Sequence, residues 1–390
     1  MRFALTDDQA ALRDAVRELL GRECPPAVVR EAWDGGAAAP RVAAAWDKLA
    51  EMGVLGAAVP EEAGGLGLGA CDVVPLLEEA GRVALPLPIV ETAFVAAPLL
   101  AAAGDEAAVE RIVAGELLVA CALDGAPEVP WAGDAGLVLV GERPGGPVAR
   151  LTVVGDEAAA PDGGGAPADS SATRPDDGDA RANLSAVPPD DGGARLGSGA
   201  TRPLDFTRFG DALAPAPSID GARRLGLLAE GAATESLDAP GEACVAAWQR
   251  GALGTAAQLV GLSRALLAMT VAYAEERRQF GVPIGTFQAV KHQLANALLG
   301  VEFAAPAVLR AAWSLDTGAA TADRDVAMAK ALASDAAERV AATALQAHGA
   351  IAYTTEYDLH LFAKRVWASA RTWGDAEWQR ARVAAALGLN

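Results

Sequence analysis

Apolar positions recur along the chain with two different periods, and the change between them divides it. Leu12, Val16, Leu19 and Leu20 fall at helical spacing behind Thr6 and Gln9. In such a pair each side chain covers an orphan backbone N–H of the other, so a helix start is predicted at Thr6. Trp46, Leu49 and Met52 continue the pattern in a second helix, with Gly53 as its stop. Residues 59–69, VPEEAGGLGLG, interrupt the period and predict a glycine-rich loop. Further helices are expected over 72–79, 91–103 and 105–113, each followed by glycine.

Near Leu117 the period shortens. LLVACAL, GLVLVG and VARLTVV are β-prone runs between turn residues, which predict a small sheet or barrel. From Gly155 to Arg202 the chain is almost all Asp, Gly, Ala, Pro and Ser. Such a stretch buries too little apolar surface to offset its ordering entropy, so it reads as a long mobile insertion. Order is expected again at PLDFTRFGDALA. Helical spacing then resumes over 240–276, 286–316, 321–348, 357–371 and 376–387. Long helices joined by short loops predict a bundle of antiparallel neighbours. The expected architecture is mainly α: helices over 1–116, a small β-domain over 117–235 that carries the insertion at about 155–202, and a helical bundle over 240–390.

Composition narrows the chemistry. Hydrophobic residues are 52% of the 390 and aromatics only 5%, which fits close-packed, alanine-rich helices. A net charge of -19 argues against nucleic acid as a partner, because phosphate backbones need clustered Lys and Arg. An anionic cofactor is not excluded, since a few local cations or backbone N–H groups hold one. Cys24, Cys71, Cys121 and Cys244 are scattered and form no CxxC, as in a reduced, cytoplasmic protein. The N-terminus lacks an apolar signal core, and no stretch reads as a membrane span. His292, His348 and His360 show no metal-ligand spacing and read as packing or cap residues. GGLGLG neither follows a βαβ strand nor precedes a P-loop lysine, so it reads as a turn.

Three stretches, in order and at compatible distances, resemble the acyl-CoA dehydrogenase family. The first is WDKLAEMG from Trp46, followed by Val59-Pro-Glu-Glu and Gly64 to Gly69. The second is ERRQFG from Glu276, followed by PIGTFQAVKH from Pro283. The third is Gln346-Ala-His-Gly349, then Tyr353 to Tyr357 and Gly374. The resemblance covers both helical regions and leaves the β region poorly matched. It implies an N-terminal helical domain, a middle β-barrel-like domain and a C-terminal four-helix bundle. It also implies FAD as cofactor and an acyl-CoA thioester as substrate. A carboxylate takes the α-proton, a hydride leaves Cβ for the flavin, and electrons pass to an electron-transfer flavoprotein.

The same resemblance assigns site residues. Arg277, Arg278, Gln279 and Phe280, read alone, are a basic helix terminus that complements the macrodipole. In the family this motif reaches across a subunit interface to the pyrophosphate of a neighbour's FAD. Arg277 would then form bidentate bonds to phosphate. Gln279 would be a neutral donor, and Phe287 and Gln288 would lie by the adenosine part. Gln346 to Ala350 would be a second contact, and Gly374 is also assigned to the cofactor. Two glycines and another nearby are usual there, whereas this chain has Gly349, Ala350 and Ala352. Each alanine is read as adding a methyl where a cofactor lies.

The base position departs most. Spacing from Gln346 to Gly374 matches the family without a gap, and many members carry the catalytic glutamate just before that glycine. Here Trp373 stands there, with no proton acceptor. Other members place it near the stretch Gln249 to Ala252, but no Asp or Glu occurs between Ala243 and Ala274. A positioned base contributes about 10²–10⁴-fold to rate, so the loss is large. Asp375 and Glu377 read as helix caps, with Asp375 a weaker candidate for a substitute base. The family's flavin-walling segments are missing from the β region, and Trp131 there reads as a hydrophobic anchor. Three readings stay open. One is the subunit without the base in a mixed oligomer, like the α2β2 enzymes that act on sterol side chains, paired with a related base-bearing chain. Another is a self-sufficient, homo-oligomeric dehydrogenase using Asp375. The third is a non-redox acyl-CoA-binding or scaffolding protein.

Overall fold

In the computed structural model, which describes residues 4–151 and 206–389, the chain begins with helices α1 (Asp7–Glu23), α2 (Pro26–Gly35), α3 (Pro40–Glu51) and α4 (Ala70–Arg82). A π-helical segment (Val90–Ala96) runs into α5 (Ala97–Ala102), and α6 (Glu106–Val113) follows. Strands β1 (Val119–Ala122), β2 (Glu128–Val129), β3 (Leu137–Gly141), β4 (Val148–Leu151), β5 (Leu213–Pro215), β6 (Gly226–Leu228) and β7 (Thr234–Ser236) make the middle unit. Then come α7 (Gly241–Glu276), the short strands β8 (Arg278–Gln279) and β9 (Val282–Pro283), and α8 (Gln288–Asp316). Helices α9 (Ala322–His348), α10 (Leu359–Arg371) and α11 (Ala376–Ala386) close the chain. The insertion expected at 155–202 lies outside the described residues.

The local signals act as expected at several ends. Gln9 N–H donates to Thr6 Oγ1 at 3.2 Å and Thr6 N–H donates to Gln9 Oε1 at 2.9 Å, so α1 starts in a capping box. Gly53, at φ 74°, takes the left-handed conformation beyond α3. Two signals act otherwise. Helix α2 was not foreseen; it opens on Pro26, whose fixed φ suits a first turn, and buries Val28, Val29 and Ala32. Gly81 does not stop α4. A Cβ there would lie 2.2 Å from Gln258 O, and one at Gly261 would lie 1.9 Å from Glu78 O. These glycines let the backbones of α4 and α7 touch.

Strands β1-β3-β4-β7 form one sheet, with β1 and β3 parallel and the other pairs antiparallel. Strands β2-β6-β5 form a second, antiparallel one. Among the described residues these are open sheets and not a closed barrel. Strand β1 is buried on both faces. Val119 and Cys121 enter a large core, while Ala120 and Ala122 enter a small one with Val129, Trp131 and Phe209. The large core runs from Val16 to Trp373 and joins the N-terminal helices to the bundle. The π-helical segment clips onto β1 through Thr92, whose hydroxyl donates to Val119 O at 3.1 Å and accepts from Val119 N–H at 3.0 Å.

Helices α7 and α8 both have the length and mean hydropathy, 1.3, of a membrane span, contrary to the sequence reading. In α7 this follows from its central place in the bundle, where Trp248, Leu253 and Leu259 are buried. Helix α8 instead leaves Leu299, Phe303 and Trp313 exposed along one side. Helices α7 and α9 run in the same direction, with Tyr273 beside His348 at one end and Gly251 beside the turn after α10 at the other.

Candidate functional site

One group of candidate residues gathers at the C-terminal end of α7. Arg277 caps that helix, its N–H donating to Tyr273 O at 2.8 Å. Arg278 and Gln279 are not a continued helix end; they pair with Val282 and Pro283 in a hairpin. Phe280 and Gly281 form its tip, with φ 52° and 84°. Phe280 is 92% exposed and meets Phe287 edge-on at 6.2 Å. Phe287 precedes Gln288, the first residue of α8. Gln346 lies in the last turn of α9, and Gly349, at φ 67°, begins the loop beyond it.

His348 and Tyr273 fasten the two loops together. Their rings stack at 4.3 Å, and Tyr273 OH donates to His348 O at 3.3 Å. His348 Nδ1 lies 2.8 Å from Ala344 O, and Nε2 lies 3.3 Å from Tyr357 OH. Burial pushes the His348 imidazole below its ordinary pKa. A Cβ added at Gly349 would meet nothing, and Ala350 is exposed. Ala352 is 1% exposed and packs in the large core, so its methyl does not face a ligand as its place in the motif implied. Arg277 and Arg278 have no carboxylate partner among the described residues; Arg278 only approaches Gly281 O, at 3.5 Å. Two free cations, a neutral amide and an open left-handed glycine suit a pyrophosphate.

The second group lies at the other end of α7. Trp373 and Gly374, at φ 60° and 78°, form the turn between α10 and α11. The Trp373 indole is 2% exposed and lies flush on α7, with ring atoms 2.5 to 2.6 Å from where a Gly251 Cβ would be. Trp248 is 5.3 Å away. The residue before Gly374 and the stretch Gln249–Ala252 therefore meet in space, and neither carries a carboxylate; the atoms packed on Gly251 are those of the indole. The indole N–H groups of Trp248 and Trp373 are buried without an acceptor among the described residues. Asp375 turns away as the N-cap of α11, accepting from Trp378 N–H at 2.9 Å.

A cleft of about 390 Å³ opens beside this turn. Its walls are the end of β1 with Asp124 and Glu128, the segment 217–219 with Arg223, and Trp367, Arg371, Thr372 and Trp373. Trp131 is not among them. It is 4% exposed in the small core, with the Arg365 guanidinium 5.0 Å from its ring centre.

Two buried charged groups beside the cleft went unread in the sequence. Lys330 is 0% exposed, and its Nζ donates to Ser334 Oγ at 3.0 Å and to Ala370 O and Gly374 O at 3.1 Å. Burial pushes its pKa down to about 7. Gln379 Nε2 donates to Trp373 O at 2.7 Å, so two buried side chains hold the turn from below. The signal was legible: Lys330 shares a helical stripe with Val326, Ala333, Ala337 and Val340. The other group links three parts of the chain. Glu91, in the π-helical segment, has its carboxyl pushed up by burial and opposed by Arg223. Arg223 Nη2 donates to Thr372 Oγ1 at 2.9 Å. Arg365 pairs with Asp220 and donates to Leu85 O at 2.7 Å.

Gly251 and Arg277 are separated by about 40 Å of α7 at about 1.5 Å per residue. Of the residues assigned to one cofactor, only Gly374 sits at the cleft end. A single copy cannot close both groups on one ligand.

Residues 6–115 match the acyl-CoA dehydrogenase N-terminal domain, and 243–388 match the acyl-CoA dehydrogenase C-terminal domain. The chain belongs to the acyl-CoA dehydrogenase family. The acyl-CoA dehydrogenase IpdE2 of Mycobacterium tuberculosis is 29% identical over 94% of this chain and 92% of its own length. IpdE2 of Mycolicibacterium smegmatis is 28% identical over 98% and 99%. Among solved structures, the ChsE4-ChsE5 complex from Mycobacterium tuberculosis superposes with a TM-score of 0.75 at 23% identity, covering 100% of both chains. The steroid ACAD Tcur3481-Tcur3483 gives 0.74 at 22% identity, with 98% of each chain covered. The acyl-CoA dehydrogenase fold thus extends over the β unit, where the sequence resemblance was weak.

Proposed function

We propose that this acyl-CoA dehydrogenase-family chain is the subunit without the catalytic base in a mixed oligomer that dehydrogenates an acyl-CoA thioester. One observation carries the reading: an indole fills the place where the residue before Gly374 meets Gln249–Ala252, while Arg277, Arg278 and Gln279 stay exposed at the far end of α7. Arg277, Arg278, Gln279, Gln346 and Gly349 would hold the pyrophosphate of an FAD whose ring lies in a partner's cleft. When bound, FAD would accept the hydride from Cβ. This chain's own task is to position that cofactor through charge and backbone N–H groups, and the partner supplies the carboxylate. The exposed apolar side of α8 supports assembly, since contiguous apolar surface marks an interaction site. The names of the two superposed structures, each a pair of chains, support a mixed partner, and the steroid named in one supports a bulky acyl group.

The test is co-purification with a related chain that keeps its glutamate. Arg277→Gln in this chain should lower retained FAD at least tenfold while the oligomer stays assembled. Unchanged flavin content in an assembled Arg277→Gln oligomer would contradict the reading.

A further inference from the structure

We propose that Trp373 sets the depth of this chain's own cleft and bars an acyl chain from it; the idea rests on the acyl-CoA reading above. The indole is a wall of the cleft on one side and abuts α7 on the other. At Gly251, which has no side chain, the nearest atoms are all from this ring. One turn further along α7, Gly254 is covered by Val90, Leu77 and Phe94. Two glycines on one face of α7 thus leave a groove leading inward from the cleft, and bulky side chains of other elements fill it. Trp373 is the outermost of these and the one that the cleft touches.

The turn that carries the ring is also held in place. Its backbone sits at φ 60°, with Trp373 O held by Gln379 and Gly374 O held by Lys330. Trp248 flanks it at 5.3 Å, and Trp378 lies 5.7 Å from Trp248. Removing the indole would join to the cleft a space floored by Gly251 and walled by these tryptophans. Its surroundings are a glycine and indole rings, which suit an acyl chain and not a charged group.

The experiment is calorimetric titration of the full chain with octanoyl-CoA, with CoA lacking an acyl group as control. Wild type, Trp373→Ala, the milder Trp373→Leu and Gly251→Ala are compared, with folding checked by circular dichroism. Trp373→Ala should bind octanoyl-CoA at least tenfold more tightly than wild type, with Trp373→Leu between them. Gly251→Ala, whose methyl drives the ring toward the cleft, should gain nothing, and CoA alone should not discriminate. The proposal is overturned if wild type binds octanoyl-CoA within twofold of either folded truncation. If the alanine variant unfolds, the leucine variant decides. Loss of turnover in the mixed oligomer would count against the subunit reading and leave this binding comparison standing.

Discussion

Trp373 combines burial with a positive φ, a pairing that costs a bulky residue about 1–3 kcal/mol and persists only when neighbours over-determine it. Gln379, Lys330 and the Gly251 surface are those neighbours. Truncation to alanine should cost about 3–5 kcal/mol of stability in urea unfolding, the range for losing a buried aromatic. Lys330 adds a pH signature. Its folded pKa, about 7, lies below the ordinary value of 10.5. Between those values the unfolded chain holds the proton and the folded chain does not. Stability should therefore rise with pH across that window, by at most about 1.4 kcal/mol per unit, with the burial penalty fully present below it. Lys330→Met should flatten that rise in urea midpoints measured across the window; an unchanged slope would show that another group is responsible. The cap role of Asp375 was legible from its place before the last helix, and the lack of a carboxylate at Trp373 and over Gln249–Ala252 is read directly from the sequence. The place of Lys330 on the apolar stripe of α9 was legible too, but its carbonyl partners and the role of Glu91 were not, because they depend on which neighbours bury them.

The bundle helices and the capping box were readable within a few residues, since long stripes with caps carry a strong periodic signal. Glycine misled the reading at α4. Gly81 looks the same in sequence whether it ends a helix or lets another pass close by, and only the contact with Gln258 distinguishes the two. Gly261→Ala should lower stability by about 1–3 kcal/mol in thermal or urea unfolding, as overpacking at a backbone contact does. A neutral effect would mean that α4 and α7 are free to part. The short α2 went unseen because one turn-and-a-half of apolar residues after two prolines gives little period. The wide turns at Val90–Ala96 have no sequence signature that hydrophobic spacing detects.

Across the whole molecule, the decisive geometry is the length of α7. The resemblance assigns the hairpin and the Gly374 turn to FAD, with the hairpin reaching a neighbour's cofactor, and the roughly 40 Å of α7 between the two ends is what one copy cannot bridge. The exposed side of α8 belongs to the same argument: replacing Phe303, 71% exposed, with Glu should weaken assembly in sedimentation without unfolding the chain. The measurement that bears most directly on the account is acyl-CoA oxidation by this chain purified alone and supplied with FAD, beside the same assay after co-expression with a glutamate-bearing relative. The account expects no turnover from the chain alone and both flavin and turnover from the pair. Turnover by the chain alone at the rate of the pair would contradict it.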